Sequence, residues 1–358
     1  MSHSTDAMIR TLLEAGLIQD TTAPAGVSES PWYVKTLLGF SGWLAAAFLL
    51  GFIGVGLSFV VKNSAVSFIV GGLMIGGAYG LLAIPRNDFV EHLGLAFSLA
   101  GQVLVIFAII RMLDHNHTGI WLSVALMQIL LTAFMPNFVH CIFSSFVAAI
   151  ALYMTLLFPG WPHIIAALML FCAAWCFLHE FDYPRWMKKM RAIGYGLIAA
   201  IILTKVTALF GFQSLVGMIG YDRPEIQARP WIGEALTGAV TLYVVRHILL
   251  RYVRTVSDRQ AIGALTGTLL VCLISLKVQG ISVGMVIMLL GFLGGNYALL
   301  GLGVASLLFY IAAYYYLLET TLLIKSGTLL ATGIALLIIR GLMPRLWPKN
   351  MEGENIRA

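Results

Sequence analysis

From Thr36 to the C-terminus, apolar runs of about 20 residues recur between short polar or turn-forming breaks, the length a helix needs to cross a bilayer. The runs lie near 36–61, 65–84, 91–110, 119–135, 138–157, 163–180, 192–210, 232–250, 261–277, 280–295, 297–316 and 318–340. This pattern predicts about 12 membrane helices, with a range of 10–12 because several runs are short. The short alternating segments of a membrane β-barrel do not occur. The fold class is therefore all-α, a polytopic transmembrane helical bundle over residues 36–340. Residues 1–35 form a polar lead, in which Met8, Ile9, Leu12, Leu13, Leu17 and Ile18 recur near helical spacing. They predict a short amphipathic helix capped at Ser4, Thr5 or Asp6, followed by an Ala23-Pro24-Ala25-Gly26 linker. The lead has no early apolar core, so the expectation is that the first membrane segment itself directs insertion. Residues 341–358 form a polar tail.

Tight connections such as Met135-Pro136-Asn137 and Phe158-Pro159-Gly160-Trp161-Pro162 predict antiparallel helical hairpins. Gly72, Gly76 and Gly80 recur every four residues, as do Gly263 with Gly267 and Gly291 with Gly295. Small residues at that spacing let helix backbones approach, so these faces are expected to make interhelical contacts within the bundle.

Composition agrees with the pattern: 60% of the 358 residues are hydrophobic, 11% are charged and the mean hydropathy is +0.92. The net charge of +6 does not point to nucleic acid, because the cations cluster at helix ends. With an inner N-terminus and twelve crossings, 14 of the 22 Lys and Arg fall on the inner side, five on the outer side and three within helices. That bias predicts a bacterial inner membrane protein with both termini cytoplasmic. The four cysteines lie inside apolar runs, which argues against a disulfide framework. Cys172 and Cys176 share a helix face and read as small packing residues.

Few residues can carry chemistry. Lys205 falls in the outer half of the seventh run and Glu234 near the outer end of the eighth. Antiparallel neighbours would bring them to similar depth as an ion pair, which lowers insertion cost or serves transport. Lys325 lies in the twelfth run, roughly 12 Å from its outer end and roughly 20 Å from its inner end. An ammonium there costs ~2.5–3.5 kcal/mol and needs a partner, a wet cavity or a functional reason. Glu319, six residues earlier, is about 120° away around the helix and is excluded as that partner. The longest outer connection, 211–231, holds the polar stretch Tyr221-Asp222-Arg223-Pro224-Glu225, and these side chains are the candidate contact surface for a partner. Asp114-His115-Asn116-His117 and His179-Glu180-Phe181-Asp182 read as solvated or interfacial polar stretches, lacking metal-site spacing. The basic residues from Arg185 to Arg191 and from Arg246 to Arg254 read as an inner face drawn to anionic headgroups. No nucleophile with its base, phosphate loop, cofactor motif or metal-ligand set is present.

The stretch Gly291-Phe292-Leu293-Gly294-Gly295-Asn296-Tyr297, with Leu302-Gly303, Tyr314-Tyr315-Tyr316-Leu317, Thr321-Leu322-Leu323-Ile324-Lys325-Ser326, Gly333 and Arg340, resembles the bacterial membrane proteins of domain of unknown function family 4401. Leu93 to Gln102 and Asn137-Phe138-Val139-His140 resemble the same family and its relative, family 2157, although Cys141 stands where an arginine is expected. The resemblance implies no established activity. It does imply a partner, a small membrane-anchored protein named for a GDYXXLXY motif and encoded beside members of the family.

Three functional readings follow. The first is a non-enzymatic component of a membrane complex, embedded in the lipid bilayer and meeting a periplasm-facing partner, with homo-oligomerisation open. The second is a transporter or channel using the charges of Lys325, Lys205 and Glu234. The third, least supported by the residues, is a membrane-embedded enzyme acting on a lipid-linked substrate.

Overall fold

A computed structural model describes residues 62–83, 88–157, 162–210, 230–252, 259–276 and 279–317, with isolated helical positions between 34 and 55 and between 322 and 337. Among the described residues there are ten helices and no strands: α1 (Ser64–Ala83), α2 (Asp88–Leu113), α3 (His117–Phe134), α4 (Phe138–Leu157), α5 (Pro162–Leu178), α6 (Met187–Phe210), α7 (Pro230–Tyr252), α8 (Arg259–Ser275), α9 (Ile281–Leu293) and α10 (Tyr297–Leu317). Each falls on one of the apolar runs. Seven of them (α1 to α4, α6, α7 and α10) are long and apolar enough to cross a membrane, while α5, α8 and α9 are shorter.

Polarity is arranged inside out. Leu73 and Phe134 are each 71% exposed, whereas Ser98, Gln102, Gln128, Thr241 and Ser306 are buried. Water would penalise such a surface, but hydrocarbon accepts it, and buried polar side chains such as Gln102, Thr241 and Ser306 find partners one turn back on their own helices. The chain is a helical membrane protein.

Several helices begin at an asparagine. Asn63 accepts a hydrogen bond from Ala65 N (3.0 Å), Asn116 from Gly119 N (2.9 Å), Asn137 from His140 N (2.8 Å) and Asn296 from Leu299 N (3.2 Å). Each bond satisfies one of the N–H groups that a helix start leaves open. Cations close helix ends in the complementary way: Arg251 donates to the Leu178 carbonyl at the end of α5 (3.0 Å), and Lys189 donates to the Ala133 carbonyl near the end of α3.

The chain divides into two compact units, residues 1–60 with 70–103, and residues 61–69 with 104–358. In the first, α2 lies so close to α1 that a Cβ on Gly101 would stand 2.7 Å from the Gly71 carbonyl oxygen. Gly94 packs against Leu82, and Gln102 Nε2 donates to Ser98 Oγ at 3.2 Å on the buried face. Residues Leu93 to Gln102 thus form a packing surface.

In the second unit α3 packs on α4, α4 on α6, α6 on α5, α5 on α7, α7 on α8 and α9, and α9 on α10. The expectation of hairpins holds for α3–α4, α5–α6, α7–α8 and α9–α10. It holds more weakly for α4–α5, since α4 packs more extensively on α3 and on α6, where Gly196 lets the α6 backbone lie against Ile142 and Ser145 of α4. The core gathers Leu170, Ile198, Ile201, Val244, Ile287 and Leu299 from α5, α6, α7, α9 and α10.

The glycine repeats differ in what they meet. Gly72, Gly76, Gly80, Gly263 and Gly267 meet nothing within 4 Å among the described residues. Gly291 does make the expected contact, but its partner in spacing, Gly295, instead takes a left-handed φ of 61° in the turn before α10. Among the described residues, the glycines that carry the closest helix contacts include Gly101, Gly194, Gly196, Gly284, Gly291 and Gly303.

Candidate functional site: a buried ion pair where four helix ends meet

Lys205 sits five residues from the end of α6, and Glu234 four residues from the start of α7, so both lie roughly 6–8 Å inside the helix ends that carry the connection 211–229. The structure brings them together. Lys205 Nζ donates to Glu234 Oε1, with the two side chains 9% and 1% exposed. Glu234 Oε2 accepts a second hydrogen bond, at 2.9 Å, from Ser275 Oγ at the last position of α8. Ser275 Oγ in turn accepts from Ser282 N, at the start of α9, at 3.4 Å. One carboxylate thus ties together α6, α7 and α8, and through Ser275 also α9.

The local sequence explains the placement. Thr237 donates to the Glu234 carbonyl at 3.0 Å and Thr241 to the Thr237 carbonyl at 2.8 Å, so the buried hydroxyls of α7 are satisfied on their own helix. Glu234 lies near the N-terminal ends of α7 and α9, where backbone N–H groups favour negative charge. Gly238 admits Cys272, whose thiol donates to the Gly238 carbonyl at 3.5 Å, and this draws α8 against α7. Between α6 and α7 there is little backbone packing, so the long Lys205 side chain makes the crossing.

Tyr310 of α10 completes the centre. It is fully buried, lies within electrostatic reach of Glu234, and its ring packs on Gly280, where a Cβ would stand 2.8 Å from ring carbons. Gly280 has a φ of 96°, which a side-chain-bearing residue rarely adopts. The Tyr310 phenol is buried and makes no hydrogen bond among the described residues, while the Ser282 hydroxyl faces the Cys272 thiol.

A second buried polar group was not legible as such. Glu180, which reads as interfacial from the sequence, is 3% exposed and accepts two hydrogen bonds from Arg191, Nε to Oε2 at 3.0 Å and Nη2 to Oε1 at 2.8 Å. This forked pair locks the junction of α5 and α6. Arg191→Gln is expected to lower the thermal midpoint of the detergent-solubilised protein by the loss of charged hydrogen bonds, ~1.5–3 kcal/mol, with Lys188→Gln as the silent control.

Ser275, Ser282 and Tyr310 were also missed, since nothing in composition or spacing separates them from other residues of apolar helices. Asn116 caps α3 and His115 is exposed beside Asp114, and among the described residues no group of three metal-ligating side chains is gathered. Lys325 and Glu319 lie outside the described residues, as do Tyr221, Asp222, Arg223 and Glu225, and residues 1–33 of the polar lead.

A family model described as a domain of unknown function (DUF4401) matches residues 31–346. No curated protein and no solved structure matches the chain.

Proposed function

The chain belongs to the DUF4401 family, and from that premise we propose that it is a non-enzymatic component of a membrane complex, presenting the connection 211–229 to a partner on the outer side of a bacterial inner membrane. The observation that carries this reading is the Lys205–Glu234–Ser275 network at the base of that connection. Its charges are paired with each other and shielded on all sides, as in a clamp that fixes helix ends. A static clamp below a polar connection suits a docking platform. In this reading the chain crosses the membrane about twelve times with both termini inside, and Tyr221, Asp222, Arg223 and Glu225 face the partner. The partner implied by the family resemblance is a small membrane-anchored GDYXXLXY-motif protein.

The test is purification from native membranes without crosslinker. A stoichiometric companion is expected, lost when Tyr221, Asp222, Arg223 and Glu225 are changed together to alanine while the bundle stays folded. Purification of the wild type alone, with no companion, would sink the proposal.

A second reading, transport, draws on the Tyr310 hydroxyl beside Glu234, since a buried polar group without a partner among the described residues marks a place for water or for a ligand group. A cysteine-free chain carrying Ser282→Cys separates the two. Rapid labelling by a small membrane-impermeant thiol reagent supports a wet pathway, and resistance to it supports the clamp.

A further inference from the structure

Far from the ion pair, a cavity of about 460 Å³ lies among α3, α4, α5 and α6. Its floor is Ala148, Ala149, Met169 and Met190, all buried, and its rims are Ile129 of α3 and Leu168 of α5, exposed by 45% and 49%. Since α3 and α5 are each held through α4 and α6, the cavity opens sideways between them. That opening faces the surroundings of an apolar helix surface, which includes Leu130 and Phe134. The slot is elongated: its lining runs from Trp186, just before α6, to Leu197 within it, roughly 16 Å along the helix axis.

The walls offer no polar recognition. The two hydroxyls that line the cavity are spent on their own helices, Thr132 Oγ1 on the Gln128 carbonyl (2.8 Å) and Ser145 Oγ on the Ile142 carbonyl (3.0 Å). Charge appears at one end alone. There Lys189 lies 5.8 Å over the Trp186 ring and donates one of its three N–H groups to the Ala133 carbonyl. Arg185 in the turn before α6 and Lys188 at its start are exposed beside it. A tryptophan beside cations marks the depth of lipid headgroups.

We propose that this cavity binds one acyl chain of an anionic phospholipid, with the lipid phosphate held at Lys189. The length and dryness of the slot suit a hydrocarbon chain, the lateral opening gives access from the bilayer, and the cationic end complements a headgroup of net negative charge. The site uses none of the residues of the ion-pair centre and stands independently of the proposed function.

The experiment uses the full chain, stripped of lipid in zwitterionic detergent and returned to nanodiscs of phosphatidylcholine alone or mixed with phosphatidylglycerol. A phosphatidylglycerol carrying a diazirine on its acyl chain serves as the probe. Crosslinks are expected on the peptides around Ile129, Leu168 and Cys172, saturating at one lipid per chain by native mass spectrometry. Lys189→Gln is expected to weaken the preference for phosphatidylglycerol over phosphatidylcholine about five-fold, the attraction one lysine exerts on an anionic headgroup, without moving the crosslinks. Ala148→Trp, which fills the floor, is expected to remove them. Should that variant fail to fold, Leu168→Trp at the exposed rim closes the entrance without touching the core. Equal retention of both lipids, crosslinks spread evenly around the bundle, crosslinking unchanged in the tryptophan variants, or capture of a segment of this same chain in the slot would each overturn the proposal.

Discussion

Lys205→Met is expected to destabilise the protein by ~3–5 kcal/mol, because it strands the Glu234 carboxylate in a dry interior with only Ser275 to neutralise its lone pairs. Glu234→Gln should cost less. The lysine left behind is a flexible chain five residues from the end of α6, and it can extend roughly 8 Å toward the interface. The double variant Lys205→Met with Glu234→Gln should recover much of the loss, since a buried pair replaced as a whole is often neutral. Ser275→Ala removes one charged hydrogen bond and is expected to cost ~1.5–3 kcal/mol. The wild type, the two single variants at 205 and 234 and their double variant close a mutant cycle, read by thermal unfolding in detergent or nanodiscs. A coupling between residues 205 and 234 near zero would mean that the pair does not hold the helix ends together, and with it the clamp beneath the 211–229 connection would fall.

The same pair shows how far the sequence carries. A helix that must cross hydrocarbon announces itself by length and apolarity, so the positions of the ten described helices follow from the apolar runs. Lys205 and Glu234 were legible for a related reason: two opposite charges inside consecutive apolar runs, each within two turns of their shared connection, have few ways to avoid each other. Ser275, Ser282 and Tyr310 carry no such signal. They join the site only because α8, α9 and α10 fold over it, and that is a property of tertiary packing. Glu180 and Arg191 were hidden differently. Their separation across a helix junction looks like ordinary interfacial charge until the turn between α5 and α6 folds one onto the other. The glycine faces give the clearest limit. A four-residue repeat of glycine says that a close approach is permitted, not that a neighbour comes. Gly72, Gly76 and Gly80 have the best repeat and meet nothing among the described residues, whereas Gly303, which belongs to no repeat, meets backbone. The family motif becomes intelligible on the same ground. Gly291, Gly295, Asn296 and Gly303 build the α9–α10 hairpin, with Asn296 capping α10 and donating to Tyr195 of α6.

That hairpin is where a single methyl group should matter most. A Cβ on Gly291 would lie 2.7 Å from the Leu300 Cα, and one on Gly303 would lie 2.6 Å from the Met288 Cα. Both obstacles are backbone, so no rotamer change relieves them and the helices themselves must separate. Gly291→Val and Gly303→Val are therefore expected to cost as much as or more than the ~1–3 kcal/mol of ordinary overpacking, visible as loss of monodisperse protein after extraction or a steep fall in thermal midpoint. Gly76→Ala and Gly263→Ala, in open positions on α1 and α8, should instead be neutral or gain ~0.5–1 kcal/mol from the better helix propensity of alanine. The damage should also spread. Ser282 is the second residue of α9 and Tyr310 lies on α10, so prising the two helices apart withdraws both from Glu234 and loosens the centre that Lys205 closes. In the background of Lys205→Met the Gly291→Val variant should then cost less than it does alone, because part of what it disrupts is already lost. Full additivity of the two substitutions would separate the hairpin from the ion pair and confine the role of the motif to its own two helices.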